Sequence, residues 1–417
     1  MIRQPPLITP DVLIIGGGPA GLTAAAQLAG RHHGHVLVVD REHTAGGIPR
    51  HSDHTGYGLR DLHRVMSGPA YARRLVQQAI NAGADIRTST MVTGWADDHT
   101  LDVTSPDGRY QIRPRATVLA TGARERPRTA RRIPGDRPHG TYTTGQLQNL
   151  VHLHHQPVGE RAVIVGGELV SWSAAVTLRE AGCIPVLMIS QYPKAESYAA
   201  FNAAGRSVLR VPIATRSRVT RVIGKGRCQA IEIEHLDTGR RRTVECDTVV
   251  FTGDWIPDHE LARHAGITLD SGTLGPLTDT ALRTSRHGVF AAGNVLHPVD
   301  TADVAALDGK HVARQVINHL NGKRQSAEGI RLLADAPFRW IAPQMLRPQD
   351  PAPARGRLLL WTDELVRFPK VTVRQDGRIV ARRPLAWPAA PGRVFRIPSN
   401  MADGVSFTGG PVHVGLS

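Results

Sequence analysis

The sequence predicts an α/β chain made of two strand–glycine-turn–helix–strand units and ending in a β-rich module. Three observations carry that prediction. A short apolar run, Asp11 to Ile15, flows into Gly16-Gly17-Gly18 and then into the alanine-rich stretch Gly21 to Ala29. A second run, Arg161 to Val165, flows in the same way into Gly166-Gly167. Past residue 325, prolines and short alternating segments replace both patterns.

At 417 residues the chain exceeds one ordinary core, so about two or three domains are expected. Its 41% hydrophobic and 21% charged residues fit a soluble globular protein. No apolar run approaches the ~20 residues of a membrane-spanning helix. The first residues, from Met1 to Pro10, have no apolar signal core, and a cytoplasmic location is expected by default. The net charge of +15 is carried almost wholly by arginine, with Arg131-Arg132 and Arg240-Arg241-Arg242 the densest clusters. No interleaved aromatics accompany them, so nucleic acid is not an expected partner. The charge reads as a solvated arginine surface, with peripheral membrane contact or partner docking the minority reading. Cys183, Cys228 and Cys246 are scattered without metal spacing and read as single buried thiols. No metal site and no redox dithiol are expected.

Taken in order, Val36 to Asp40 is a second buried strand and completes one βαβ unit. Tyr71 to Ala82 is expected to be helical, with Leu75, Ala79 and Ile80 on one face and Gly83 as its stop. Strands are expected at Ile86 to Val92, Leu101 to Thr104 and Arg115 to Ala120. In the second unit a helix from Ser173 to Ala181 leads to a strand at Pro185 to Ser190. Gln229 to His235, Asp247 to Thr252 and Gly288 to Ala292 follow as strands, and Ala302 to Leu320 as a helix ended by Asn321-Gly322. Pro337, Pro343, Pro348, Pro351 and Pro353 mark a loop-rich linker. Beyond it come short strands near Leu358, Lys370, Arg378, Arg393 and Pro411.

The chemistry starts at Gly16-Gly17-Gly18-Pro19-Ala20-Gly21. Gly16 permits the tight turn, Gly18 lets the backbone approach a pyrophosphate, and Gly21 allows close helix–strand packing. Asp40 closes the next strand about 20 residues on, where a carboxylate can bind a ribose hydroxyl. This is a Rossmann-like dinucleotide site.

Two further segments carry a resemblance. Thr117 to Ala123 contains the strand-plus-Ala-Thr-Gly element, and Gly288 to Asn294 the late flavin motif, of two-dinucleotide-domain flavoproteins. In that order the chain resembles the thioredoxin-reductase-like, pyridine nucleotide-disulfide oxidoreductase superfamily. The resemblance implies two Rossmann-like three-layer domains, the second inserted in the first. It places an FAD-binding domain at 1–128 and 256–325, an NAD(P)-binding-like domain at 129–255, and the β-rich module at 326–417. It implies FAD held by Gly16, Gly18, Pro19, Ala20, Gly21, Asp40, Arg41, Gly47, Ile48, Val92, Thr121, Gly122, Gly293, Asn294, Thr301 and Ala302. Asn294 stands where the superfamily usually has Asp; it can accept from a ribityl hydroxyl and also donate. The helix after Thr301 is expected to aim its N-terminus, with roughly half a positive charge, at the flavin pyrimidine.

Aligned on the first turn, the second replaces Gly18 by Glu168 and Gly21 by Ser171. Two unit charges ~5 Å apart at an effective dielectric of ~20 repel by about 3 kcal/mol, roughly a hundredfold in affinity. Glu168 and Ser171 therefore speak against NAD(P) as the electron donor.

The segment Gly46 to Ala72 narrows the resemblance to the FAD-subunit branch of opine oxidase, hydrogen cyanide synthase and hydroxyproline dehydrogenase. Flavoproteins associated with glycerol-3-phosphate dehydrogenase are similar too. Several of these carry a cysteine cluster for a [2Fe–2S] centre, which this sequence lacks. His297, His51, His54 and Tyr57 are the titratable groups expected nearest the ring, with His297 favoured by position. A base must take the N–H or O–H proton while hydride leaves for the flavin. The expected function is an FAD-dependent dehydrogenase or oxidase acting on a small amine, amino acid or hydroxy acid. It is expected to work with a second flavoprotein or an iron–sulfur subunit. The alternatives are an NAD(P)H-dependent flavin reductase and an electron-transfer or scaffold subunit with no substrate of its own.

Overall fold

The computed structural model describes residues 6–31, 34–297, 300–323, 326 and 328–417. Residues 1–5, part of the segment expected to have no apolar signal core, and the expected boundary at 325 lie outside the described residues.

Val12–Ile15, fully buried, is the central strand of a five-stranded parallel sheet. Ala116–Leu119 and then Val289–Ala291 flank it on one side, and Val36–Val39 and then Asp85–Arg87 on the other. All four residues of the strands at 12, 36 and 116 are buried, as a strand covered on both faces requires. Helices Pro19–Ala29 (α1) and Gly68–Asn81 (α2) cover the sheet. Met91–Trp95, Leu101–Ser105 and Gly108–Ile112, antiparallel, with Leu7–Ile8 added in parallel to the last, form a four-stranded sheet as a further layer. In α2 the buried face is Tyr71, Ala72, Leu75 and Ala79, whereas Ile80 is 51% exposed. The expectation for Ile80 fails because one residue past Ala79 turns the helix by about 100°. The expected strand from Ile86 to Val92 is two strands, which belong to different sheets.

The second unit repeats the plan. Thr141–Thr143, Thr248–Phe251, Arg161–Val165, Ile184–Ile189 and Ile213–Ala214 form a parallel sheet in that order. Thr144–Gln148 (α3), Leu169–Glu180 (α4) and Ala199–Val208 (α5) accompany it, with the antiparallel strands Ser217–Ile223, Ala230–His235 and Arg241–Glu245. α4 starts directly after Glu168 rather than at Ser173, because the glycine turn opens straight into the helix, as in the first copy. The chain enters and leaves this unit side by side, since Ala123–Glu125 pairs antiparallel with Trp255–Pro257. The short helix Glu260–His264 (α6) and the long Ala302–Leu320 (α7) then return to the first unit.

Ile330–Ala334 and Phe338–Ala342 are strands, which corrects the expected linker there. Pro337 and Pro343 abut the ends of Phe338–Ala342, where no ladder bond is lost. These strands begin a two-sheet sandwich. One sheet is ordered 345–346, 330–334, 412–416, 370–375, 378–384, and the other 338–342, 357–362, 395–398. Leu332, Val371, Val373, Val412 and Val414 of the first pack on Phe338, Leu358, Leu360, Phe395 and Ile397 of the second.

Candidate functional site

Three loops meet at the N-terminus of α1. Gly16 has φ +110°, and a Cβ there would lie 2.3 Å from the Ala120 carbonyl oxygen. Gly18 caps α1 with extended backbone, and Gly47, at φ +64°, approaches it so closely that a Cβ would lie 2.9 Å from the Gly18 Cα. The walls here are backbone, and α1 presents its free N–H groups between them. This fits a diphosphate, which the helix N-terminus stabilises. Gly293 comes from the third loop, where a Cβ would lie 2.8 Å from that of Ala20. Asp40 accepts the N–H groups of Gly17 at 2.7 Å and Glu42 at 2.9 Å. Burial raises its pKa against those two bonds.

The remaining positions expected to hold the cofactor are placed as follows. Ile48 is half exposed beside Gly47, Val92 is buried in the antiparallel layer, and Arg41 pairs with Asp258 at 3.5 Å. Thr121 donates to the Asp258 carbonyl at 2.7 Å, Gly122 follows at φ +76°, and Thr301 caps α7 ahead of Ala302. Asn294 uses its carboxamide on its own loop. Its Oδ1 accepts from the Asp300 N–H and its Nδ2 donates to the Asp300 carbonyl, both at 3.1 Å. An aspartate could not donate, which gives the departure at 294 a local reason.

Sequence reasoning missed the acids around α7. Asp303, buried in its first turn, accepts from the Arg60 main chain and guanidinium at 3.1 Å. Asp300 bonds the Thr301 N–H at 3.2 Å and is gripped by Arg396 of the sandwich. Arg355, also of the sandwich, stands 3.9 Å from Asp300 and 3.4 Å from buried Asp308.

The titratable candidates differ in burial and partners. His51 ends the turn Ile48–His51; it is buried, and its Nδ1 has no hydrogen-bond partner. Burial, and next the charge of Arg50, push its pKa down to about 4. His54 bonds the Thr55 carbonyl at 2.8 Å through Nδ1, and its ring lies 5.3 Å from that of Tyr57. Burial raises the Tyr57 pKa. His297 is 1% exposed, its ring stacked 5.5 Å from Trp340 of the sandwich.

The second glycine turn is closed. Glu168 caps α4 as Gly18 caps α1, but its carboxyl lies deep, so close to Gly253 that a Cβ there would sit 2.5 Å from it. Glu196 accepts from Ser190 at 2.8 Å and from the Gly167 N–H, as Asp40 does from Gly17 in the first turn. Gly392 of the sandwich seals the outside, where a Cβ would lie 2.4 Å from that of Glu196 and 3.1 Å from Glu168 Cγ. Burial first, and then Glu196, push the Glu168 pKa up to about 8. A carboxyl pushed up in this way carries its charge less readily, and filled space stands beside the expected repulsion as an obstacle. Ser171, buried where Gly21's counterpart would be, bonds Thr252 at 2.6 Å.

Cys183, Cys228 and Cys246 are free and buried, as expected, and Cys228 donates to the Ala230 carbonyl at 3.7 Å. The neighbouring Cys246 thiol lowers the pKa of Cys228, and Cys228 raises that of Cys246. Among the described residues no group of acids, histidines or cysteines could hold a metal ion, and no helix is long and apolar enough to cross a membrane.

Comparison with known proteins agrees with this geometry. Thioredoxin reductase of Treponema pallidum (strain Nichols) is 27% identical over 301 residues, covering 68% of this chain and 88% of the relative. An opine oxidase subunit of Rhizobium meliloti is 25% identical over 414 residues, covering 90% of this chain and 76% of the relative. The crystal structure of T. acidophilum thioredoxin reductase superposes with a TM-score of 0.62 at 24% identity, over 75% of this chain and 98% of that one, and shares the fold. The model of the family described as pyridine nucleotide-disulphide oxidoreductase matches residues 10–309. With that match, and a glycine turn built for a diphosphate, the chain belongs to the pyridine nucleotide-disulphide oxidoreductase family and is an FAD-dependent oxidoreductase.

Proposed function

We propose that this enzyme takes hydride from a small amine, amino acid or hydroxy acid and does not use nicotinamide as its donor. One observation carries the reading. Glu168, Glu196 and Gly392 fill the second glycine turn, where a nicotinamide dinucleotide would place its diphosphate. Bound FAD would supply the hydride acceptor, held by the loops at 16–21, 46–48 and 293–301.

The proton is left to the chain. His51 is the group we assign to it, because its ring is neutral at physiological pH and keeps an unpartnered nitrogen. An imidazole with a pKa near 4 is a weak base. A substrate carboxylate beside Arg50 would offset that cation and raise it, which favours amino or hydroxy acids over plain amines. Tyr57 and His54 flank the same segment and serve as substrate contacts. His297, covered by Trp340, is assigned to packing.

Anaerobic rapid mixing tests the donor. Flavin bleaching by amino or hydroxy acids, with NADH and NADPH inert, is the expected result. Fast bleaching by either nicotinamide overturns it in favour of a flavin reductase, the reading to which the family's description points. Relatedness to an opine oxidase subunit over 90% of the chain, sandwich included, favours work within a complex with a second flavoprotein or iron–sulfur subunit. Full turnover by the isolated chain would argue against the scaffold alternative.

A further inference from the structure

α7 crosses α1 without side chains between them, since a Cβ on Gly309 would lie 2.3 Å from the Ala20 carbonyl oxygen. From that crossing to Ala302 is about 10 Å of helix. A dinucleotide whose diphosphate sat on α1 would have the start of α7 within reach of its far end. The groups around that start set the field its ring feels.

Acids crowd there. Asp300, Asp303 and Asp308 are all buried. Left alone, their charges would oppose the positive end of the α7 dipole. Each is instead answered by an arginine from elsewhere in the chain: Asp303 by Arg60, Asp308 by Arg355, and Asp300 by Arg396 with Arg355 behind it. The Asp300 carboxylate has a mechanical duty as well, accepting the Thr301 N–H at 3.2 Å, while Asn294 holds the Asp300 main chain. The acid is needed for shape while its charge is unwelcome. Two of the three arginines belong to the sandwich, which has no glycine turn of its own.

We propose that the C-terminal sandwich completes the flavin site, its Arg396 and Arg355 acting as positioning residues that neutralise Asp300 and so keep bound FAD easier to reduce. This rests on FAD binding and not on the identity of the donor.

The test is the reduction potential of the FAD-loaded full chain, read by equilibration with a reference dye, which needs neither substrate nor nicotinamide. Arg396→Met is expected to shift the reduced-to-oxidised ratio at fixed poise at least tenfold toward oxidised, about 30 mV for a two-electron couple. Arg396→Lys should restore most of it, and Asp300→Asn with Arg396→Met should return it to the parent value. Should Arg396→Met fail to fold or to keep FAD, Asp300→Asn alone decides the matter, and its expected shift is toward reduced. An unchanged potential in loaded Arg396→Met, or in Asp300→Asn where that variant is needed, overturns the proposal. So does a double variant that stays at the single variant's value. A failed donor assignment would leave all these potentials as predicted.

Discussion

The carboxyl of Glu168 rests against Gly253, on the floor of the second glycine turn, where no other residue would leave it room. Its proton is retained to about pH 8, far above the ordinary carboxylate range. The folded state thus binds a proton that the unfolded chain has already released. Stability attributable to this site falls as pH rises from about 4.5 to about 8. Glu168→Gln should flatten that slope and gain on the order of 4 kcal/mol over the parent at pH 8, measured by denaturant unfolding. A variant with the parent's pH slope would show that the carboxyl is ionised in place.

Removing the acid should not open the site. In Glu168→Gly, Glu196 still holds the Gly167 N–H and Gly392 still covers it. NADH and NADPH are expected to remain inert with this variant. Recovery of fast nicotinamide oxidation would mean that Glu168 is the sole barrier.

Gly47→Ala meets two obstacles, a left-handed backbone and a Cβ 2.9 Å from the Gly18 Cα. FAD occupancy, read from flavin absorbance per chain, should drop, with affinity lowered at least about tenfold, equal to about 1.4 kcal/mol. Full occupancy would move the diphosphate away from this turn.

Asn294→Asp loses the donation to the Asp300 carbonyl and sets a carboxylate against that oxygen. A loss of about 1–3 kcal/mol is expected in thermal or denaturant unfolding. An unchanged midpoint would show that the 294–300 loop is held by other groups.

His51 and His297 should separate cleanly. His51→Ala is expected to lower turnover about 100-fold or more with little effect on stability, as loss of a general base does. His297→Ala should cost about 1 kcal/mol or more in stability by undoing the stack on Trp340, and leave the pH profile of turnover intact. The reverse pattern would return His297 to the reacting atoms.

What the sequence revealed was local. Gly16 to Gly21, the strand before it and Asp40 lie within one βαβ unit, and the bounds of α7 follow from Thr301 and Asn321-Gly322. The rest depends on partners far along the chain. Asp300 meets Arg396 across 96 positions, and Cys228 meets Cys246 only because the strands at 230 and 241 pair as a hairpin. The raised pKa of Glu168 depends on its burial and on Glu196, which no inspection of the glycine turn alone could supply. Pro337 and Pro343 misled because a proline at a strand end and a proline in a loop look alike in one dimension.

The ribbon of Ala123–Glu125 and Trp255–Pro257 is the covalent tether of the inserted unit, and a tether of two adjacent strands would let it swivel about a single axis. The sandwich bonds both units, gripping Asp300 of the first and reaching Tyr192 of the second through Asp363 at 3.3 Å. Bonded so, it would brace the pair, and the cost of any swing would include tearing a charged anchor from one end.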